Sequence, residues 1–169
     1  MMDGRPGPEL TPPVLPRAPG GTVILCAECI RLERCRLGLT HEALAGEFRT
    51  ETELECPRDH EGGPGVAHGG WIASVMDEAL GHLPLLCGQM TVTATLTVEF
   101  IRPVPIQRPL KIIAWRDRVE RNRWINVGEL VLVQTGVVLA RARGEFAMRD
   151  QGRHYEKFRE WLASEEGGG

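Results

Sequence analysis

The sequence predicts an α+β fold, with one long buried helix set against a single antiparallel sheet. Three observations predict it. Residues 44–56 alternate as a strand wet on one side. Residues 69–83 are spaced as a helix that is apolar around most of its circumference. Residues 91–149 divide into four consecutive strand-like stretches. Strands that run together, with one helix kept apart from them, make a segregated layer architecture. A helix apolar on most sides needs a sheet curled around it.

Taken in order, residues 1–21 hold six prolines and four glycines and are expected to form a disordered arm. Residues 22–43 contain Cys26-x-x-Cys29 and then Cys35, and predict a short helix and turn ahead of the main domain at 44–150. In the first strand Phe48, Thr50, Thr52, Leu54 and Cys56 share one face, and Glu47, Arg49, Glu51, Glu53 and Glu55 share the other. Pro57 to Pro64 is turn-rich and predicts a loop. The helix places Ile72, Val75, Met76, Ala79, Leu80 and Leu83 at helical spacing. The four strands are expected at 91–101, 109–119, 124–135 and 137–149, the middle two joined as a hairpin through Glu120 to Arg123. Residues 151–169 supply a short surface helix, Tyr155 to Ala163, with Phe158, Trp161 and Leu162 turned inward, and a fraying tail.

The chemistry gathers on the central helix. Its stripe opposite the apolar face is Gly70, Ser74, Asp77 and Gly81, small except for the acid, and predicts the wall of a cleft. A carboxylate inside a core-type helix is costly to bury unless it is paired or used. His68-Gly69-Gly70 opens the helix, and two glycines leave its first N–H groups unobstructed for an approaching oxygen. Donor end and acid together suggest attack on a carbonyl. His68 has a plainer reading, holding the turn by hydrogen bonds, and Glu78 that of a solvated or capping acid.

Gly65-Val66-Ala67-His68-Gly69-Gly70, then Asp77-Glu78-Ala79, then Thr93-Ala94-Thr95-Leu96-Thr97-Val98-Glu99-Phe100-Ile101-Arg102-Pro103-Val104-Pro105 resemble the hotdog-fold acyl-CoA thioesterases of the phenylacetate-pathway and 4-hydroxybenzoyl-CoA type. The likeness covers roughly residues 44–149. It implies the hotdog fold and hydrolysis of a small-molecule acyl-CoA to free acid and coenzyme A. It further implies a homodimer or homotetramer, with no metal and no cofactor. Asp77 would act as base or nucleophile, amides near Gly69 and Gly70 as the oxyanion hole, His68 beside them, and Thr93 as the holder of the water. Gly65, Ser74, Gly81, Arg102 and Pro103 would contact substrate. Many members carry an asparagine about six residues before the histidine, where this chain has Gly62. On one helix Gly70 and Asp77 lie roughly 10 Å apart along the axis, so donor and acid at a single carbonyl are expected from two copies of the chain.

A net charge of −3 argues against a general nucleic-acid binder, and no run is long and apolar enough for a membrane span. Without a signal-like N-terminus, the expectation is a cytoplasmic protein with reduced thiols. A lone CxxC leaves a zinc site open only if Cys35 and a fourth ligand, Cys56 or His41, join it. The arginines between Arg116 and Arg123 are either a solvated hairpin or a docking patch for coenzyme A phosphates. Two other functions compete on the same fold. One is a hydratase or dehydratase, faintly suggested by His60-Glu61. The other is a non-catalytic acyl-CoA-binding regulator, which the presence of Asp77 disfavours.

Overall fold

The computed structural model describes Arg17 and residues 23–167. The expected N-terminal arm, Arg17 apart, and the last two glycines of the tail lie outside these residues. Six strands form one antiparallel sheet in the order β1-β2-β6-β7-β8-β5. They are β1 (Leu39–Leu44), β2 (Arg49–Glu55), β5 (Thr91–Phe100), β6 (Pro109–Glu120), β7 (Arg123–Leu132) and β8 (Val138–Met148). Within the expected loop lies β3 (Glu61–Gly63), which turns through Gly65 at φ +76 to pair in a small ribbon with β4 (Val66–Ala67) just beyond it. The helices are α1 (Ala27–Arg31), α2 (Gly69–Leu86) and α3 (Gln151–Glu166). The sheet curls around α2, whose Val75, Met76, Ala79, Leu80 and Leu83 are fully buried. This is the hotdog fold.

The strand expected over 44–56 begins only at Arg49, and a further strand, β1, precedes it in the segment expected to hold a short helix and turn. The chain turns between them at Gly46 (φ +145) and Phe48 (φ +54). Phe48 holds this corner by an edge contact to Trp124, ring centroids 5.7 Å apart, with the Arg116 guanidinium stacked 3.3 Å over its ring. The alternation itself survives in β2, where Thr50, Thr52 and Leu54 are buried and Arg49, Glu53 and Glu55 exposed.

α2 outruns its expected end at Leu83 by one turn, passing through Pro84. A proline lacks the N–H that would bond the carbonyl four residues back, here Leu80. Asn126 of β7, wholly buried, donates from Nδ2 to that carbonyl at 2.8 Å. With the orphaned acceptor satisfied, the helix has no reason to stop. Beside this contact Gly128 leaves room for Leu80, whose Cδ1 would lie 2.7 Å from any Cβ there.

α3 is longer than expected and its apolar residues do not turn inward. Phe158 and Trp161 are 50% and 56% exposed, because no described part of the chain covers that face.

Candidate active site

Asp77 sits half-buried on the third turn of α2, and the Thr93 hydroxyl of β5 donates to its Oδ1 at 2.8 Å. A β-bulge makes this contact possible. Thr93 pairs with Phe146 and Thr95 with Glu145, so Ala94 is an extra residue in β5. The bulge shifts parity along the strand. Thr93 before it and Leu96 and Val98 after it therefore all face the helix, the first onto Asp77 and the others onto the core.

Burial pushes the Asp77 carboxyl above the ordinary range, and neighbouring Glu78 adds to that, while the Thr93 hydrogen bond and His82 pull it back. Asp77, Ser74 and Glu78 line a cavity of about 590 Å³. Its opposite wall comes from the N-terminal segment, with Cys26, Cys29 and Arg36 among its residues. Ser74 donates to the Gly70 carbonyl at 2.8 Å.

At the helix start, His68 is the N-cap. Its Nδ1 accepts the Gly70 N–H at 2.9 Å, and its own N–H donates to the His60 carbonyl at 2.8 Å. The plainer reading of His68 is therefore the one the geometry realises. The Gly70 amide is engaged by its cap and is not the open donor expected of it. Gly69, the first helical residue, has no acceptor for its N–H among the described residues. Together with Arg102 and Pro103, it lines a second groove of about 340 Å³, separate from the Asp77 cavity. On one chain, then, donor end and acid open into different cavities.

The other expected site residues divide. Arg102 lines the Gly69 groove but donates from Nη1 to the Val138 carbonyl at 2.8 Å. Gly65 lies at the exposed ribbon turn, its N–H bonded to Glu61 Oε1 at 2.6 Å. Gly81 does not face the cleft. The Phe146 ring would lie 3.3 Å from a Cβ there, so its smallness makes room for core packing rather than for substrate. The expected arginine patch is largely occupied. Arg116 stacks on Phe48 and Trp124, Arg118 pairs with Asp117 and Glu120, and Arg123 pairs with Glu145 at 2.7 Å.

All five cysteines are free thiols. Among the described residues no three His, Cys, Asp or Glu side chains converge as a metal-holding group. Cys56 faces the core from the end of β2, and burial pushes its thiol up to about 11. Cys26 is exposed. The Cys29 backbone N–H, the Cys29 thiol and Arg36 hold it below the ordinary thiol range.

One group went unanticipated. His82, one turn beyond Glu78 and 7% exposed, places Nδ1 2.8 Å from Glu42 of β1 and Nε2 2.7 Å from Glu78. Glu78 is thus an ion-paired acid on the cavity wall, not a cap. Its i,i+4 spacing to His82 was readable on the helix. Glu42 was not, because it falls in the segment read as preceding the sheet.

Residues 64–140 match the family model described as the Thioesterase superfamily. The chain is 31% identical over 90 residues to the acyl-coenzyme A thioesterase THEM4 of Bos taurus, covering 53% of this chain and 37% of that protein. It thus spans about a third of that relative's length. The structure of the E. coli PaaI protein, from the phenylacetic acid degradation operon, superposes with a TM-score of 0.61 at 21% identity, over 71% of this chain and 87% of that one. That of smu.793 from Streptococcus mutans, bound to acetyl CoA, gives a TM-score of 0.62 at 15% identity, over 69% and 93%. The stretch 64–140 is thus similar to the Thioesterase superfamily, and the solved structures share its hotdog architecture. No helix among the described residues is long and apolar enough to cross a membrane.

Proposed function

We propose that this chain is an acyl-CoA thioesterase that hydrolyses a small-molecule acyl-CoA to free acid and coenzyme A. The observation that carries the reading is the half-buried Asp77, held by Thr93 at 2.8 Å in the wall of a cavity, within the stretch that matches the Thioesterase superfamily. Asp77 is the general base. Water attacks the thioester carbonyl as its proton passes to the carboxylate, the negative oxygen is met by the Gly69 N–H, and the carbon–sulfur bond breaks to release coenzyme A as its thiolate. A carboxyl held above the ordinary range is a stronger base, and the Thr93 hydroxyl fixes its orientation.

The site is assembled from two copies of the chain. Gly69 and Asp77 are eight residues apart on one helix, about 12 Å along its axis. That is too far for one carbonyl to meet both, and the two open into different cavities. A two-fold dimer formed through the open edge of β5 would bring one protomer's Gly69 toward its partner's Asp77.

The test is release of free thiol from a panel of acyl-CoA thioesters, with Asp77→Asn as the control. Turnover well above that control is expected for at least one acyl group; none above it across short, long and aromatic acyl chains would overturn the assignment. Single turnover in heavy-oxygen water checks the base role, which predicts label in the released acid and none in Asp77.

A further inference from the structure

Glu42, His82 and Glu78 form a continuous array from the sheet edge to the cavity wall. Glu42 Oε1 meets His82 Nδ1 at 2.8 Å and Glu78 Oε2 meets His82 Nε2 at 2.7 Å. The second Glu42 oxygen accepts the Ile24 N–H at 3.4 Å. A neutral imidazole has one donor and one acceptor nitrogen, and here both nitrogens face carboxylate oxygens. With both carboxyls ionised, the arrangement is satisfied when both nitrogens carry protons, and the ring is then a buried cation between two anions. Glu78, at the other end, lines the same cavity as Asp77, its neighbour in sequence.

We propose that His82 is a positioning residue for the reacting acid: clamped by Glu42, it keeps Glu78 ionised and turned onto its own ring, so that Asp77 feels only a residual repulsion from Glu78 rather than that of an unscreened acid pair. The proposal rests on the thioesterase reading only in calling Asp77 the reacting group.

Two adjacent carboxylates in one cavity, with no cation between them, repel, and one of them holds its proton to higher pH. His82 prevents this from the far side of Glu78. Burial by itself would drive the ring toward neutrality, but the hydrogen bonds from Glu42 and Glu78 outweigh it and push the ring up to about 10. Glu78 is correspondingly held below its ordinary range, chiefly by the His82 hydrogen bond. The other groups facing Asp77 are the Thr93 hydroxyl from β5 and, from the opposite wall, Cys26, Cys29, Cys35, Arg34 and Arg36, with Asp59 and His60 from the loop before β3. None of these is hydrogen-bonded to Glu78 as His82 is. The ring also reaches β1 through Glu42, so one buried charge joins the placement of the sheet edge to the protonation of the cavity.

The test is the pH profile of kcat/KM in three variants. In His82→Gln, Glu78 loses its counter-ion, and the acid limb should move to higher pH by about one unit. In Glu78→Gln, Asp77 loses a repelling neighbour while His82 keeps Glu42, and the limb should move to lower pH. The double variant should return toward wild type. Glu78 lies at the cavity wall and is 43% exposed in its side chain, so Glu78→Gln is expected to fold even if His82→Gln is not. A limb that stays put in Glu78→Gln, or that moves the same way in both single variants, overturns the proposal. A lower rate with an unmoved limb overturns it too, since that is all a purely structural role would produce. Titration of the side-chain carboxyl carbons by NMR, with Asp77 identified by its loss in Asp77→Asn, reads the same shifts without turnover. Should the chain hydrolyse no thioester, this titration still decides the proposal.

Discussion

The two edges of the sheet are built in opposite ways. β1 is six residues long, carries a buried charge in Glu42, and has the buried residues Val23, Ile24 and Leu25 beside it, tied by the Ile24 N–H to Glu42. Such an edge is short, charged and covered, which blocks pairing with another chain. β5 is ten residues long, and its Thr93, Ala94, Thr95, Thr97, Glu99 and Phe100 are exposed, Phe100 at 57%. That edge is long and almost uncharged, and an unprotected edge of this kind is a template for a second chain. The closed edge adjusts charge at the site through His82, whereas the open edge carries Thr93 and is where a partner's donor would arrive. The difference separates tuning from assembly.

The largest expected effects come from removing what the open edge unites. Asp77→Asn should lower thioester hydrolysis by about 100-fold or more while leaving the fold intact. Gly69→Pro removes the free N–H at the first helical position, where proline is tolerated. His68 before it, at ψ 139, already has the extended conformation a following proline requires. A Cβ at Gly69 would meet the Phe100 ring at 3.6 Å, an ordinary contact. The expected loss is again about 100-fold, the usual cost of one oxyanion donor. Each measurement is kcat/KM alongside a melting curve, and near-normal turnover by either variant removes that group from the mechanism.

Mixing the two variants sharpens the comparison. After subunit exchange a mixed dimer has one site with both defects and one with neither. At random exchange about half the dimers are mixed, so activity should recover to roughly a quarter of wild type. Proven exchange without recovery would place donor and acid within one chain and leave β5 with no part in assembly. A smaller effect, about 10-fold, is expected from Thr93→Val, which keeps the branched shape and deletes the hydroxyl on Asp77. Equal losses from Thr95→Val and Thr97→Val, neither of which donates to Asp77, would show that the contact is incidental.

The open edge was more legible in the sequence than the closed one. Alternation located β5 and the three strands after it to within a residue or two at most ends, because a sheet face against one helix imposes a period of two. Family likeness singled out Asp77 and Thr93, the latter as holder of the water rather than as donor to the acid; the bulge that brings the two together leaves no mark in a run of alternating threonines. The clamp on β1 was missed for a different reason. Glu42 is a charge that burial makes sense of only when His82, forty residues later, stands opposite, and periodicity carries no information about such a meeting. The end of α2 teaches the same lesson. Proline predicts a stop, and only the distant Asn126 amide explains why none occurs.

The smallest expected effect belongs to the closed edge and appears as a dependence of stability on pH. His82 titrates near the ordinary histidine value of 6.5 when unfolded and is pushed up to about 10 when folded. A folded value above the unfolded one means that the native state holds the proton more tightly. The resulting stabilisation is fully present below about 6.5, declines above it, and is gone once pH has risen through about 10. Melting temperature should therefore fall by a few degrees or more between pH 7 and pH 10.5, before any general alkaline unfolding. Losing the proton leaves Glu42, whose side chain is fully enclosed, facing a neutral ring. Glu42→Gln removes one of the two anions that hold the proton, so its midpoint should lie at lower pH, and the melting curve should begin to fall earlier. Because Glu42 touches neither cavity, this variant should retain Asp77-dependent turnover at neutral pH with only a modest loss. A melting temperature flat from pH 7 to pH 10.5 in the wild-type protein would mean that the ring is neutral at pH 7, and the closed edge would then be held by packing alone.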